Sequence, residues 1–146
     1  MRKNIYEGPS WPELPTHNIS GMRFYEVPDG DKYPSITSVL GAQPGKKVGL
    51  QKWRDRIGEQ QANIISRKAA NRGTVFHHIC EDYLVDKLDE STEEKHKTSN
   101  FLAHALFGQV KKTIDERVGD IFLMEQTMYS PKYKVAGRCD LIAMFD

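Results

Sequence analysis

The spacing of apolar residues changes twice along the chain and predicts three kinds of segment. Residues 1–45 hold six of the seven prolines and only short apolar runs. They predict an N-terminal arm with a short hairpin around Pro28-Asp29-Gly30. From residue 46 apolar positions recur every three or four residues, which is typical of amphipathic helices. Later the period becomes two, which predicts strands in IFLMEQTMY and YKVAGRCDLIAMF, joined by a turn at Ser130-Pro131-Lys132. Helices followed by a hairpin indicate a mixed α/β (α+β) fold with its core in residues 46–146.

Capping and breaking residues predict where the helices begin and end. Ser35 is a good N-cap for a short helix through ITSVL. Gly73 is expected to break the helical pattern, and Thr74 is expected to cap the helix that follows. Ser99 is expected to cap a long helix that Gly119 ends. The polar segment DESTEEKHKTS, which precedes that long helix, is expected to be a linker.

Composition narrows the class of protein and its compartment. A chain of 146 residues is enough for one domain with a real core. A membrane span needs about 18 apolar residues in a row, and no run in this sequence is that long. The N-terminus also lacks the apolar stretch of a secretory signal. Cys80 and Cys139 are too few for a disulfide framework or a four-cysteine cluster. The sequence therefore predicts a cytoplasmic protein without a membrane partner.

The net charge of +1 conceals two oppositely charged segments. Residues 46–72 carry eight Lys/Arg and two acids, a net +6, whereas residues 81–94 carry one Lys and seven acids, a net −6. This pattern suits a phosphate-facing surface next to a solvated helix end, and two solvated faces are the alternative. Basic residues around an aromatic ring can hold a single strand by phosphate contacts and stacking, although the helical repeat also fits Trp53 as a core residue. The DNA-binding candidates are Lys52, Arg54, Arg72 and Thr74, the last two because a helix N-terminus favours anions.

Two places in the sequence combine metal-ligand chemistry with an unusual setting. His77 and Glu81 are four residues apart and share one helix face, where they can supply two ligands, or a ligand and its hydrogen-bonding partner. Asp140 interrupts an apolar strand, which is costly unless the carboxylate is paired or binds a metal. Gly137 suggests a close approach of a ligand or another backbone. Structural or solvent-facing roles are the alternatives for all of these, and for Glu125 in the neighbouring strand.

Taken in order, these motifs resemble those of a nuclease superfamily. RGTVFHHICEDYL is similar to the GTxxHxxxE helix motif of RecB-type nucleases, and GRCDLI is similar to the GxxDhh strand motif of the PD-(D/E)XK superfamily, where h is apolar. The upstream YPSITSVLG and LQKWRDRIGEQQANIISRKAANRGT look like the corresponding region of phage exonucleases and of the mitochondrial genome-maintenance exonuclease group. By motif order the resemblance extends over most of the chain from about Tyr33 onward.

The resemblance implies a restriction-endonuclease-like core and hydrolysis of DNA with Mg²⁺ or Mn²⁺. His77 and Asp140 would be the metal ligands, Glu81 would support them, and Glu125 is a weaker candidate. The family also has a D-x-K or E-x-K strand after the Asp, and none follows Asp140 in this sequence. We therefore expect the N-terminal portion of an exonuclease that is active only when this strand is supplied, either by a second polypeptide or by a longer natural chain of which this sequence is a fragment. If the gene belongs to a phage, the protein would act in the host cytoplasm. The alternatives are an inactive DNA- or protein-binding module, and a structural domain in which His77 and Asp140 never meet.

Overall fold

The structure is a computed structural model that describes residues 5–6 and 12–146. These residues form five helices and two small antiparallel sheets, which confirms the mixed α+β class. The restriction-endonuclease-like core stays a prediction. No helix among the described residues is long and apolar enough to cross a bilayer. The elements, in chain order, are β1 (Thr16–Ile19), β2 (Met22–Glu26), β3 (Lys32–Pro34), α1 (Ile36–Gly41), α2 (Pro44–Ile57), α3 (Glu59–Leu84), α4 (Glu90–Ser99), α5 (Phe101–Arg117), β4 (Val118–Ser130) and β5 (Val135–Phe145).

The described residues belong to two compact units that interleave along the sequence. The helical unit comprises Ile5, Arg54–Ile121 and Ala143–Asp146. The mixed unit comprises Tyr6, residues 12–53 and Phe122–Ile142. The division into an arm of residues 1–45 and a core of residues 46–146 stays a prediction.

The core of the helical unit lies where α3 packs against α5. Val75 and Ile79 on α3 meet Ala103 and Phe107 on α5, and Ile79 and Ala103 are fully buried. The ring of Tyr83 contacts that of Phe107 edge-on, with the centroids 5.3 Å apart. An apolar stripe of this kind removes one face of each helix from water, which stabilises helices that are marginal in isolation.

The mixed unit contains the predicted N-terminal hairpin and one strand more. β2 and β3 pair antiparallel with Tyr25 opposite Tyr33, across the turn predicted at Pro28-Asp29-Gly30. β1 was not predicted; it pairs with β2 through a turn at Ser20-Gly21, where both residues have positive φ (53° and 79°). Such a turn matches the twist of a hairpin. The buried core of this unit consists of Leu14, Tyr25, Val27, Tyr33 and Ala136.

The predicted helix break at Gly73 is wrong, and so is the N-cap at Thr74. Both residues lie within α3, which runs unbroken for 26 residues. A glycine inside a helix costs only about 1 kcal/mol relative to alanine, and the buried stripe on either side of Gly73 outweighs that cost. The break occurs at Gly58, whose φ of 85° lies in the left-handed region that glycine tolerates best.

The segment expected to be a linker forms α4, and Asn100 replaces Ser99 as the cap of α5. The Asp89 carboxylate accepts a bond from the Thr92 amide and caps α4, whose acidic first turn and basic last turn both favour a helix. Ser99 is the last residue of α4. Asn100 caps α5 by accepting from the Ala103 amide at 3.0 Å, and α5 ends at Arg117 rather than at Gly119.

None of the residues of α4 is buried, so this helix has no apolar face against the rest of the unit. Polar contacts attach it to α3 and α5 instead. His96 is 2.8 Å from the Asp82 carboxylate of α3, and Glu93 is 2.9 Å from the His104 imidazole of α5. α4 is therefore held by two histidine–carboxylate pairs rather than by an apolar face.

Candidate metal and nucleic-acid sites

The structure places His77 and Glu81 one turn apart on α3, as the sequence predicts. Because Val75 and Ile79 are buried against α5, the side chains at 77 and 81 lie toward solvent. The His77 Nδ1 atom is 3.8 Å from Glu81 Oε1, and the two side chains are 48% and 32% exposed. An imidazole and a carboxylate at this distance can approach one cation together, or the carboxylate can orient the ring.

Cys80 lies between these residues in sequence, but its side chain packs against the apolar cluster of α3 and α5. Burial raises the pKa of the Cys80 thiol to about 11, and the nearby Glu81 carboxylate adds to the shift. The donors on the solvent-facing side of α3 are the nitrogen of His77 and the oxygens of Glu81, which suit a hard divalent ion.

Asp140 lies on the solvent-exposed side of β5. Side chains along this strand alternate, with Arg138, Asp140, Ile142 and Met144 exposed and the intervening residues half-buried. An exposed position accommodates a carboxylate without requiring a metal. At Gly137 the close neighbour is a side chain rather than the predicted ligand or backbone: a Cβ at this position would be 3.2 Å from the Cγ2 atom of Ile36.

Glu125 occupies an unusual backbone position on β4, opposite an arginine of β5. Its φ of 49° is rare for a residue other than glycine, aspartate or asparagine. Arg138 donates to the Glu125 carbonyl oxygen at 2.7 Å and lies 3.9 Å from its carboxylate, and it also bonds the Glu13 carboxylate. This arginine therefore holds the kinked backbone of β4 within the mixed unit.

The predicted metal residues are divided between the two units. His77 and Glu81 belong to the helical unit, and Asp140 and Glu125 belong to the mixed unit. The donor atoms in each unit are carboxylate oxygens with at most one imidazole nitrogen, and Mg²⁺ and Mn²⁺ bind such ligands. A single ion bound by His77 and Asp140 stays a prediction.

The four predicted DNA contacts have different surroundings. Lys52 is exposed on α2. The Arg54 guanidinium instead donates hydrogen bonds to the Glu59 carboxylate, with Nε at 2.9 Å, and to the Asn63 side chain. The same contact lowers the pKa of Glu59. Thr74 is exposed in the middle of α3, so no free helix amides adjoin it and the reason given for it is wrong. Arg72 is partly buried and lines a surface concavity.

That concavity brings Arg72, one of the predicted DNA contacts, together with two cations that were not among the candidates, Arg67 and Lys68. It has a volume of about 410 Å³ and is lined by Arg67, Lys68, Asn71, Arg72, Asn100 and Leu102, all in the helical unit. The group of charges is visible in the sequence, since residues 60–80 contain three Lys/Arg and no acid. The other wall of the concavity is not, because Asn100 lies 29 residues from Asn71 along the chain.

Comparison with known proteins adds no relative. A scan against models of protein families, and searches of curated proteins and of solved structures, found no match to this chain. The resemblance to the nuclease superfamily therefore depends on the quoted motifs alone.

Proposed function

We propose that this chain is part of a divalent-metal-dependent DNA exonuclease and hydrolyses phosphodiester bonds together with a D-x-K or E-x-K strand. The observation that carries the proposal is the order of two motifs, GT-x-x-H-x-x-x-E followed by G-x-x-D-L-I. The position of His77 and Glu81 on one solvent-facing side of α3 supports it, as does the exposed carboxylate of Asp140. A surface concavity lined by three cations supports a polyanionic substrate.

In this proposal His77 and Asp140 bind the ion, and Glu81 holds the imidazole. The carboxylate of Glu81 lies on the Nδ1 side of His77, and in this proposal the other ring nitrogen is the metal ligand. A bound Mg²⁺ or Mn²⁺ would polarise the scissile phosphate and lower the pKa of an attacking water. Neutral imidazole and ionised carboxylates are needed for ion binding, so affinity for the ion falls as the pH is lowered.

Metal binding provides the first test and requires no catalysis. Mn²⁺ is titrated into the chain and free Mn²⁺ is measured by electron paramagnetic resonance. His77→Ala and Asp140→Asn should each weaken binding about tenfold or more, since each removes a ligand. The matched controls, His78→Ala and Asp31→Asn, change exposed residues of the same type and should bind Mn²⁺ as the unmodified chain does. Equal binding by the ligand variants and their controls would contradict the metal site.

Hydrolysis provides the second test. An end-labelled oligonucleotide is incubated with Mg²⁺ and the chain, alone or mixed with a polypeptide that carries a D-x-K strand. We expect metal-dependent cleavage in the mixture, loss of it in Asp140→Asn, and no cleavage by the chain alone. Cleavage that survives Asp140→Asn would overturn the catalytic assignment. Cleavage by the unmixed chain would overturn the requirement for a second polypeptide.

A non-cleaving DNA-binding module is the second candidate, and the basic concavity favours it. The two candidates make different predictions for the same samples. A binding module should bind DNA when a chelator is present, should have no Mn²⁺ site that depends on His77, and should not cleave DNA in the mixture. A nuclease should have the Mn²⁺ site and should cleave DNA in the mixture.

A further inference from the structure

The two helices that follow the N-terminal hairpin bury no side chain. Neither α1, with 6 residues, nor α2, with 14, contains a buried residue, whereas α3 and α5 bury apolar side chains against each other. Helices of these lengths are marginal in water by themselves and are normally stabilised by packing an apolar face. Residues 36–53, the part of the two helices that belongs to the mixed unit, are called the α1–α2 surface below. Within the described chain this surface lacks a partner comparable with the one that α3 has in α5.

The α1–α2 surface presents several large apolar side chains to water. Five aliphatic residues on it are between 42% and 54% exposed: Ile36, Val39, Leu40, Val48 and Leu50. The first three follow the i, i+3, i+4 spacing and therefore form one stripe along α1. Exposed apolar groups that occur singly are common, but a cluster of them marks a place where another molecule binds.

A concavity of the mixed unit continues this stripe. It has a volume of about 360 Å³, and Ile36 lines it together with Met128 and Tyr129 of β4 and Val135 of β5. Met128 and Tyr129 are themselves at least 40% exposed. A concavity with apolar walls of this kind can take one large apolar side chain of a partner, which is how the central contacts of protein interfaces are made.

The charge of the α1–α2 surface has a single sign. It carries three lysines, Lys46, Lys47 and Lys52, and no acid, a net +3. All three lysines are exposed. A partner that complements this surface is therefore negatively charged as well as apolar.

A protein segment meets both requirements better than a nucleic acid or a lipid surface does. DNA supplies negative charge, but its bases stack on aromatic rings and have no comparable use for branched aliphatic side chains. A helix that lies in a lipid surface separates its apolar and charged faces. Val48 and Leu50 are two residues apart, so they lie on different sides of α2 and do not form such a face.

We propose that the α1–α2 surface binds a partner protein through an acidic amphipathic helix. Apolar side chains of that helix pack on Val39 and Leu40, one of them enters the concavity beside Ile36, and its carboxylates contact Lys46 and Lys47. The inference goes beyond the proposed function and does not depend on it, because neither a metal ion nor DNA takes part.

The probe is a fluorescein-labelled peptide of leucine and glutamate, about 18 residues long, with leucine at the i, i+3, i+4, i+7 spacing. It is titrated with the chain in EDTA and binding is followed by anisotropy. Two further peptides serve as controls: one has the same composition in an order without helical spacing, and the other has lysine in place of glutamate. Both should bind at least about tenfold more weakly. Equal binding of the three peptides would overturn the proposal, because it would show adhesion without recognition.

Variants of the chain locate the contact. Val39→Gln/Leu40→Gln should weaken peptide binding about fivefold or more, and its control, Ile65→Gln/Leu102→Gln, changes two exposed aliphatic residues on helices of the helical unit. Lys46→Gln/Lys47→Gln should weaken binding and reduce its salt dependence, and its control, Lys95→Gln/Lys97→Gln, removes the same charge from α4. Both controls should bind as the unmodified chain does. Equal losses in a variant and its control would overturn the assignment to this surface.

Other occupants of the surface are distinguished with the same variants. Vesicles of anionic lipid or the oligonucleotide dT₂₀, bound more tightly than the peptide and released by Val39→Gln/Leu40→Gln, would overturn the choice of a protein partner. A dimer in sedimentation that this variant abolishes would show that a second copy of the chain is the occupant, and would also overturn it.

Hydrogen exchange provides a readout that is resolved along the chain. Because α1 and α2 bury nothing, their amides should exchange faster in the free chain than those of α3 around Ile79. The leucine–glutamate peptide should slow exchange in residues 36–53 about tenfold or more and leave α3 unchanged. Protection elsewhere without protection of residues 36–53 would overturn the proposal. Since every sample contains EDTA and the peptide experiments contain no DNA, failure here leaves the Mn²⁺ and cleavage results intact, and their failure leaves this result intact.

Discussion

Truncation of Ile79 tests whether the packing of α3 against α5 carries the stability of the helical unit. Ile79 is fully buried in the cluster with Val75, Ala103 and Phe107. Ile79→Ala deletes three carbons, so the lost transfer free energy is about 2.4 kcal/mol at about 0.8 kcal/mol per carbon. The cavity left behind adds to this, and buried Ile→Ala changes cost about 2–5 kcal/mol in total. We expect a value in the upper half, because Phe107 is itself held by the Tyr83 ring and cannot easily fill the space.

The assay is urea unfolding followed by circular dichroism at 222 nm, with the slope against urea as a check on the extent of unfolding. Ile65→Ala is the matched control, because it is the same chemical change on the same helix at a side chain that is 41% exposed. It should change the free energy of unfolding by about 0.5 kcal/mol or less. A cost for Ile79→Ala below about 1 kcal/mol, or equal costs for the two variants, would refute the assignment of this cluster as the core.

Two further predictions concern backbone conformation and pH. Gly58→Ala should destabilise the chain by about 1–2 kcal/mol because φ is positive there, whereas Gly73→Ala should stabilise it by about 0.5–1 kcal/mol because that site is helical with open space at the Cβ. Thermal melts of both variants check this, and equal shifts would contradict it. The raised pKa of Cys80, from 9.0 to about 11, means that the folded chain retains a proton that the unfolded chain releases in this range. The free energy of unfolding should therefore fall as the pH rises from about 9 through 11, and this part of the fall should be absent in Cys80→Ala. The same dependence of stability on pH in both proteins over this range would contradict the raised pKa of Cys80.

Local signals in the sequence predicted those elements whose determinants lie within a few residues. Ser35 caps α1 by accepting from the Ser38 amide at 3.0 Å, and the period of two after Gly119 gives β4 and β5. The turn signal at Pro28-Asp29-Gly30 gives the β2–β3 hairpin. In each case a short side-chain bond or a strict alternation is decisive, and both can be recognised without knowing the rest of the chain.

The predictions that failed concern places where packing against distant residues, or pairs of polar side chains, determine the structure. Gly73 has the local character of a helix break, but the partner of the surrounding apolar stripe is Phe107, more than 30 residues away in sequence. The helix α4 has no apolar face, and its attachment to Asp82 and His104 cannot be seen in its own sequence. For the candidate site, helical spacing correctly paired His77 with Glu81, whereas the concavity lined by Arg67, Lys68 and Arg72 is completed by Asn100 and Leu102 at the start of α5, which are distant in sequence.

The attachment of α4 by two histidine–carboxylate pairs has a consequence for how the chain responds to proteases. Both pairs are partly accessible to water and no residue of α4 is buried, so opening of α4 is expected to leave the Ile79–Phe107 core in place. Cleavage within Glu90–Ser99 then proceeds from molecules that are otherwise folded. The product is a nicked chain whose α3 and α5 stay associated through their apolar faces. α4 is accordingly the segment of the helical unit where the covalent chain can be interrupted, or a tag inserted, at the lowest cost in free energy.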